Sequence, residues 1–198
     1  MIFSKFIVPI YCDNEFSGTG FIINGFLVTA NHVMNKKVHS YFVFENQEYK
    51  INIGKIIVLD EPENSQCSNN ALDLFVCETD IKDSNLCFSS GFEDGAIFDY
   101  FGYSFDENTH ELLKDKESGI TLHRMNALSF SDCMELDNTF SCLCDLKPGN
   151  SGGPLFHGNK IVGMLIREIC RKQVKKECVF IKASYIMDQI RDNNDFNI

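Results

Sequence analysis

The stretch KPGNSGGPLF, residues 147–156, gathers three glycines and two of the chain's 4 prolines around one serine, Ser151. A solvated loop has no need of that density. A serine hydroxyl is a weak nucleophile unless a base takes its proton, and the oxyanion that forms on an acyl substrate needs two aimed N–H donors. A glycine two positions before the serine lets the backbone turn so that its own N–H and that of the serine point into one hole, and Gly149 and Ser151 have that spacing. Gly152 and Gly153 leave room for backbone and substrate to come close, and Pro154 opens the strand that begins at Leu155. Standing alone, the stretch would read as a Gly/Pro-rich turn without chemistry.

Two other segments change that reading. In SGTGFIINGFLVTANHVM (17–34) a β-hairpin delivers His32 at the end of an apolar strand and just inside a helical turn. In NNALDLFVCE (69–78) Asp73 sits beside a buried strand. A base, a carboxylate and a nucleophile thus arrive in the order His32, Asp73, Ser151.

The rest of the chain is a succession of short runs rich in Val, Ile, Phe and Tyr, among them FIVPIY, YFVFENQEYKINI, AIFDYFGYSF, TFSCLC and KIVGMLIREI, with Asn, Gly, Asp and Ser between them. Many short strands at this spacing predict an all-β barrel or sandwich. Helix is expected in two places. NHVMNK (31–36) makes one turn, and ASYIMDQIRDN (183–193) sets Ile186 and Ile190 on one face with Ser184 as N-cap. The polar stretches 60–70 and 104–119 read as long loops, and 82–95 as the boundary between halves. The expected division is 1–88, carrying His32 and Asp73, and 89–198, carrying Ser151 and the terminal helix.

At 198 residues the chain can bury a core without metals or disulfides. No apolar run approaches the length of a membrane span. The net charge of −10 argues against nucleic acid or an anionic membrane as the main partner. The basic cluster RKQVKKE (171–177) reads as a solvated hairpin tip. Nine cysteines, an odd number without tidy spacing, favour a reducing compartment, and a cytoplasmic location is expected. The opening stretch MIFSKFIVPIYC lacks a cleavage pattern and reads as a strand rather than a secretory signal.

LVTANHV, ALDLFV and PGNSGGPL together resemble the three signature segments of the chymotrypsin-like (trypsin-fold) serine peptidases, in that family's chain order. The resemblance covers residues 7 to 190. It implies two antiparallel six-stranded β-barrels, a short C-terminal α-helix and an active site in the cleft between the barrels. Ser151 would attack, His32 would act as base and then acid, Asp73 would fix the imidazole, and the Gly149 and Ser151 N–H groups would form the oxyanion hole. No cofactor and no metal are implied.

Secreted members carry an aspartate before the serine, which pairs with a newly cut N-terminus. This chain has Asn150, so that switch is not expected, and Asn150 can order the loop by neutral hydrogen bonds. PGNSGGPL and VFIKASYIMDQI are more similar to the HtrA-type and related intracellular peptidases, whose usual PDZ domain is expected to be absent here or supplied by another chain. Six residues before the serine, Asp145 occupies the family's position for the acid of the primary pocket, which implies cleavage after Arg or Lys. Leu165, Ile166, Arg167 and Glu168 are the candidates for the opposite wall, and Arg167 could neutralise Asp145.

His39, His110, His123 and His157 have no partner pattern and read as surface or structural residues. Cys142, Cys144, Cys170 and Cys178 fit no compact zinc pattern and read as buried thiols. Cys178 would lie near the primary pocket. The leading expectation is a serine endopeptidase acting on protein targets and held in check by a regulatory partner or effector. The alternatives are a binding module that does not use its triad, and a protease that cuts itself from a longer chain.

Overall fold

A computed structural model of the chain describes residues 2–34, 39–59, 72–82, 84–106, 108–128, 135–169 and 176–193. Its first half is a seven-stranded antiparallel sheet of β1 (Ile7–Cys12), β2 (Glu15–Ile23), β3 (Phe26–Ala30), β4 (Ser40–Phe44), β5 (Gln47–Lys50), β6 (Ile56–Leu59) and β7 (Leu74–Glu78). The spatial order is β5-β4-β1-β2-β3-β7-β6. Three hairpins set the register through two-residue loops with both φ angles positive: Asp13-Asn14 (54° and 67°), Asn24-Gly25 (50° and 87°) and Glu45-Asn46 (48° and 63°). Loops of that kind match the twist of the flanking strands, and Asn, Asp and Gly tolerate the left-handed region best.

The second half contains β8 (Cys87–Phe88), β9 (Ile97–Asp106), β10 (Glu111–Arg124), the short pair β11 (Ala127–Leu128) and β12 (Glu135–Leu136), then β13 (Thr139–Cys144), β14 (Pro154–His157), β15 (Lys160–Ile169) and β16 (Lys176–Lys182). Its order is β14-β9-β10-β13-β16-β15-β8, and a further β14–β15 pairing closes six of these strands into a barrel. The first sheet has no such closing pair among the described residues, so the expected pair of closed barrels is one six-stranded barrel and one open half-barrel. Cys87 and Phe88, which the division at 88 left in the first half, pair with Lys160 and Ile161 of β15 in the second sheet.

The stretch 104–119, expected as a loop, is a long hairpin in which β10 pairs with β9 from Glu111↔Asp106 to Thr121↔Ile97. Residues 111–119 of β10 are polar apart from Leu112, Leu113 and Gly119 and are all exposed or half-buried, so no apolar alternation marks them. The helical turn after β3 is a 3-10 turn, Asn31–Val33. The terminal helix α1 (Ala183–Asn193) buries Ile186 and Ile190 as expected, each worth about 1.5–3 kcal/mol of burial. Ser184 falls inside its first turn rather than at the cap. The expected loop at 60–70, Cys170 and most of the 171–177 cluster lie outside the described residues. No described helix is long and apolar enough to cross a membrane.

The phenylalanines fill the interior. Phe98, Phe140 and Phe180 are fully buried inside the closed barrel, with Phe140 stacked on Phe180 at 5.4 Å between centroids. A second cluster runs through the first sheet and across to Phe101, Phe156, Met164 and Ile166 of the barrel, so the two halves share apolar packing. That packing fixes the seam in which the candidate site lies.

Candidate active site

His32 is presented by the 3-10 turn that ends β3, and Asp73 immediately precedes β7, the neighbour of β3 in the sheet. Asp73 makes three bonds to this turn. Its backbone carbonyl accepts from the Asn31 N–H at 2.8 Å, Oδ1 accepts from the His32 N–H at 2.9 Å, and Oδ2 meets His32 Nδ1 at 2.5 Å. Its φ of +62° lies in the left-handed region, where a non-glycine residue is strained by about 1 kcal/mol or more. The three bonds hold it there. The hydrogen bond to Asp73 raises the His32 pKa above its ordinary value, burial opposes the rise, and the carboxylate's charge adds to it. With Nδ1 on the carboxylate, Nε2 is left as the working nitrogen.

Ser151 comes from the other half, on the turn that enters β14. The Asn150 N–H donates to the Lys147 carbonyl at 3.1 Å, closing a turn with Pro148 second and Gly149 (φ +92°) third. Such a type II turn favours proline and then glycine at these places. The Gly152 N–H donates to Leu165 O and the Leu165 N–H to Gly153 O, at 2.8 and 2.9 Å, which ties the serine to β15. On its other side the Thr19 N–H donates to Ser151 O at 2.9 Å, and Thr19 Oγ1 donates to Gly149 O at 2.9 Å. Gly152 has a φ of +84°, and a Cβ there would overlap Thr19 O and Thr29 Oγ1. Gly149 and Gly152 are therefore required by space as well as by backbone angle, and Gly153 by space, because a Cβ there would overlap the Tyr100 hydroxyl. Among the described residues neither the Gly149 N–H nor the Ser151 N–H meets a protein acceptor, and Ser151 Oγ has no hydrogen bond to the imidazole.

Asn150 orders the loop by hydrogen bonds as its position led us to expect, two to backbone groups and, beyond the expected neutral set, one to the carboxylate of Asp115. It is buried, its Nδ2 donates to Tyr103 O at 2.9 Å and to Asp115 Oδ2 at 2.8 Å, and its Oδ1 accepts from the Lys147 N–H at 2.9 Å. Tyr100 donates its hydroxyl to Asn150 O at 2.5 Å.

The structure places the pocket candidates less tightly. Asp145 is exposed after β13, with its N–H on Glu117 Oε2 at 3.0 Å. Ile166 is buried at a bulge of β15, and Glu168 pairs with Lys176 Nζ at 3.0 Å. Burial lowers the Arg167 pKa, and the charge that opposes the shift is Asp73 rather than Asp145. Cys142 lies opposite Cys178 across β13 and β16, and burial raises the pKa of the Cys142 thiol. Among the described residues no cluster of three or more His, Cys, Asp or Glu is placed to hold a metal ion.

Thr19, Tyr100 and Asp115 were not foreseen from the sequence. The signal for Thr19 was available: it is a polar residue between two glycines, Gly18 and Gly20, in a strand whose neighbours are buried.

No protein-family model and no curated protein matches the chain. Solved structures do. The Rv3671c protease of M. tuberculosis in its inactive form superposes with a TM-score of 0.64 at 15% identity, over 97% of this chain and 90% of that one. Neuropsin, a serine protease of mouse brain, gives 0.69 at 11% identity over 96% and 94%. The protein's fold is trypsin-like. The MamO protease domain of Magnetospirillum magneticum gives 0.64 at 14% identity over 94% and 96%. The likeness is to the trypsin-like fold at large, and nothing in it singles out the HtrA-type branch.

Proposed function

We propose that the chain is a serine endopeptidase that hydrolyses peptide bonds of protein targets through Ser151, His32 and Asp73. The observation that carries this reading is the double engagement of Asp73, whose two carboxylate oxygens take the backbone N–H and the Nδ1 of His32. A structural aspartate at a strand end has no reason to fix an imidazole that is itself half exposed. Ser151 Oγ gives its proton to His32 Nε2 as it attacks the scissile carbonyl. Asp73 stabilises the imidazolium, which then protonates the leaving amine. The unengaged N–H groups of Gly149 and Ser151 receive the oxyanion, and water attacking through the same base releases the acyl product.

The hydrogen bond from Ser151 Oγ to His32 Nε2 forms as substrate binds, since catalytic hydrogen bonds commonly align only in the complex. We further propose control by a partner or effector that brings the two groups together. We place the work of the enzyme in a reducing compartment such as the cytoplasm, on its odd cysteine count. The exposed position of Asp145 adds no support to a preference for Arg or Lys, and profiling of cleavage sites with an Asp145→Ala variant decides it. The test of the peptidase reading is labelling by a fluorescent fluorophosphonate. Wild type should label and Ser151→Ala and His32→Ala should not. Equal labelling of all three would reject the triad.

A further inference from the structure

The turn that carries the Gly149 donor has two ways to close. Type I and type II turns share the bond that here runs from the Asn150 N–H to Lys147 O, and both accept a proline at the second place, here Pro148. They differ in the central peptide, which is turned over between them, so that the third residue has a φ of about −90° in type I and about +80° in type II. In this chain the central peptide is Pro148–Gly149, its N–H is the Gly149 donor, and the φ of +92° is the type II form. Turned over, the same N–H points away from the hole while His32, Asp73 and Ser151 stay in place. Glycine takes either sign of φ, so Gly149 does not make the choice itself.

The Asn150 side chain ties this turn to the β9–β10 hairpin. Its Oδ1 reaches back to the Lys147 N–H, and its Nδ2 bonds out of the turn to Tyr103 O and Asp115 Oδ2. Asp115 is the one side chain on that amide among the described residues. Its own commitment is one-sided: Oδ2 takes Asn150, and Oδ1 stands 3.6 Å from Lys147 Nζ, so it grips the two ends of the same turn. The lysine is 59% exposed and that pair contributes little. The bond from Asn150 to a carboxylate only 16% exposed is the stronger kind. The hairpin itself has no need of an acid here, since Asp115 lies opposite Gly102, which offers it no side chain.

We propose that Asp115 is a positioning residue for the oxyanion hole: through Asn150 it keeps the Pro148–Gly149 peptide in the type II form, with the Gly149 N–H turned into the hole. That this N–H serves an oxyanion rests on the peptidase reading, whereas the hold on the turn does not. The hole is then assembled in the free protein, and control by a partner or effector acts on the approach of Ser151 to His32.

Pro148–Gly149 is the one Pro-Gly pair in the chain, so protein with isotope-labelled proline carbonyls and glycine nitrogens gives a single NMR correlation, from the peptide in question. Wild type should show one resonance. Asp115→Ala should shift the balance toward type I by about tenfold or more, the usual weight of a hydrogen bond to a charged group, and a second resonance should appear. Fluorophosphonate labelling and kcat for an ester substrate should fall by the fraction that the first resonance loses, with KM little altered. Asp115→Asn, which keeps an acceptor, should restore both the single resonance and the labelling. Asp115→Ser, too short to reach Asn150, takes the place of the alanine variant if that does not fold. A single unmoved resonance in Asp115→Ala, or an Asp115→Asn protein as impaired as Asp115→Ala, overturns the proposal. Wild type that fails to label, with the second resonance still appearing in Asp115→Ala, would reject the peptidase reading and keep the hold on the turn. Full labelling of Asp115→Ala beside an unmoved resonance would do the reverse.

Discussion

Replacing Asn150 by aspartate puts a carboxylate where the structure supplies a donor. Asn150 Nδ2 stands 2.8 Å from Asp115 Oδ2 and 2.9 Å from Tyr103 O inside a buried turn. Two carboxylates about 3 Å apart repel by roughly 5 kcal/mol at an effective dielectric of 20. Protonating one of them at pH 7, from an ordinary value near 4, costs about 4 kcal/mol. The smaller cost wins, so the pair takes up one proton. That proton can serve one of the two former acceptors, and the other loses its hydrogen bond at about 1 kcal/mol. The Asn150→Asp protein should therefore be less stable than wild type by about 5 kcal/mol at pH 7 and by only about 1 kcal/mol at pH 4. The sign follows from linkage: a carboxyl whose folded pKa is raised carries no penalty below its unfolded value, and the penalty grows until pH passes the folded one. Urea unfolding of both proteins across pH 4–7 measures the difference. A destabilisation that stays flat with pH would refute the argument, as would one under 1 kcal/mol at pH 7.

Three further outcomes follow from the same geometry. Because its hydrogen bond to Asp73 raises the His32 pKa, the rising limb of kcat/KM against pH should lie above the ordinary histidine value of about 6.5, since His32 must be neutral to act as base. Asp73→Asn should move the limb down and lower kcat by about 10⁴-fold, and a limb that stays in place would contradict the assignment. Gly152→Ala, which drives a Cβ into Thr19 O and Thr29 Oγ1 at a φ of +84°, should fail to fold or lose roughly 3 kcal/mol or more, and a melting temperature within 2 °C of wild type in calorimetry would rule that out. Among the described cysteines, mass spectrometry after brief alkylation should find Cys87 modified. It should find Cys77, with its thiol pushed up to about 12 by burial, and Cys142 protected until urea is added.

The sequence carried the strands whose two faces differ, and it carried the serine turn, because glycine and proline at fixed offsets leave few backbone solutions. Asp73 was legible through its place before an apolar strand, and the structure puts it on His32. Of the β9–β10 hairpin, β9 was legible in AIFDYFGYSF, but the first part of β10 was not, since residues such as Lys114, Glu117 and Ser118 alternate nothing apolar and only register reveals the pairing. The open edge of the first sheet was hidden for a related reason: closure depends on which strands meet at long range, and local pattern is silent on that. Asp145 shows the limit of counting. Its spacing from Ser151 matches the family, yet the turn that follows β13 leaves the side chain in solvent.

The candidate site joins two sheets, so its geometry depends on whatever fixes one sheet against the other, and the structure concentrates that duty on Thr19. Its N–H holds Ser151 O, its hydroxyl donates to Gly149 O, and the same oxygen accepts from the Tyr103 N–H at 2.9 Å, while Thr29 Oγ1 donates to Thr19 O at 2.7 Å. Thr19→Val keeps the branched shape and removes the hydroxyl from a fully buried position. Two partly buried backbone groups then lose their partner, which predicts a loss of about 1–3 kcal/mol and a melting temperature lower by roughly 3–10 °C. If the hydroxyl serves only the fold, acylation by an ester substrate below the melting range should be unchanged. If it holds the Gly149 carbonyl so that the adjacent N–H groups stay aimed, kcat should fall by about tenfold or more with KM little altered, and Thr19→Ser should recover it. We expect the second result. A Thr19→Val protein that melts early but keeps its kcat would reduce Thr19 to a structural pin.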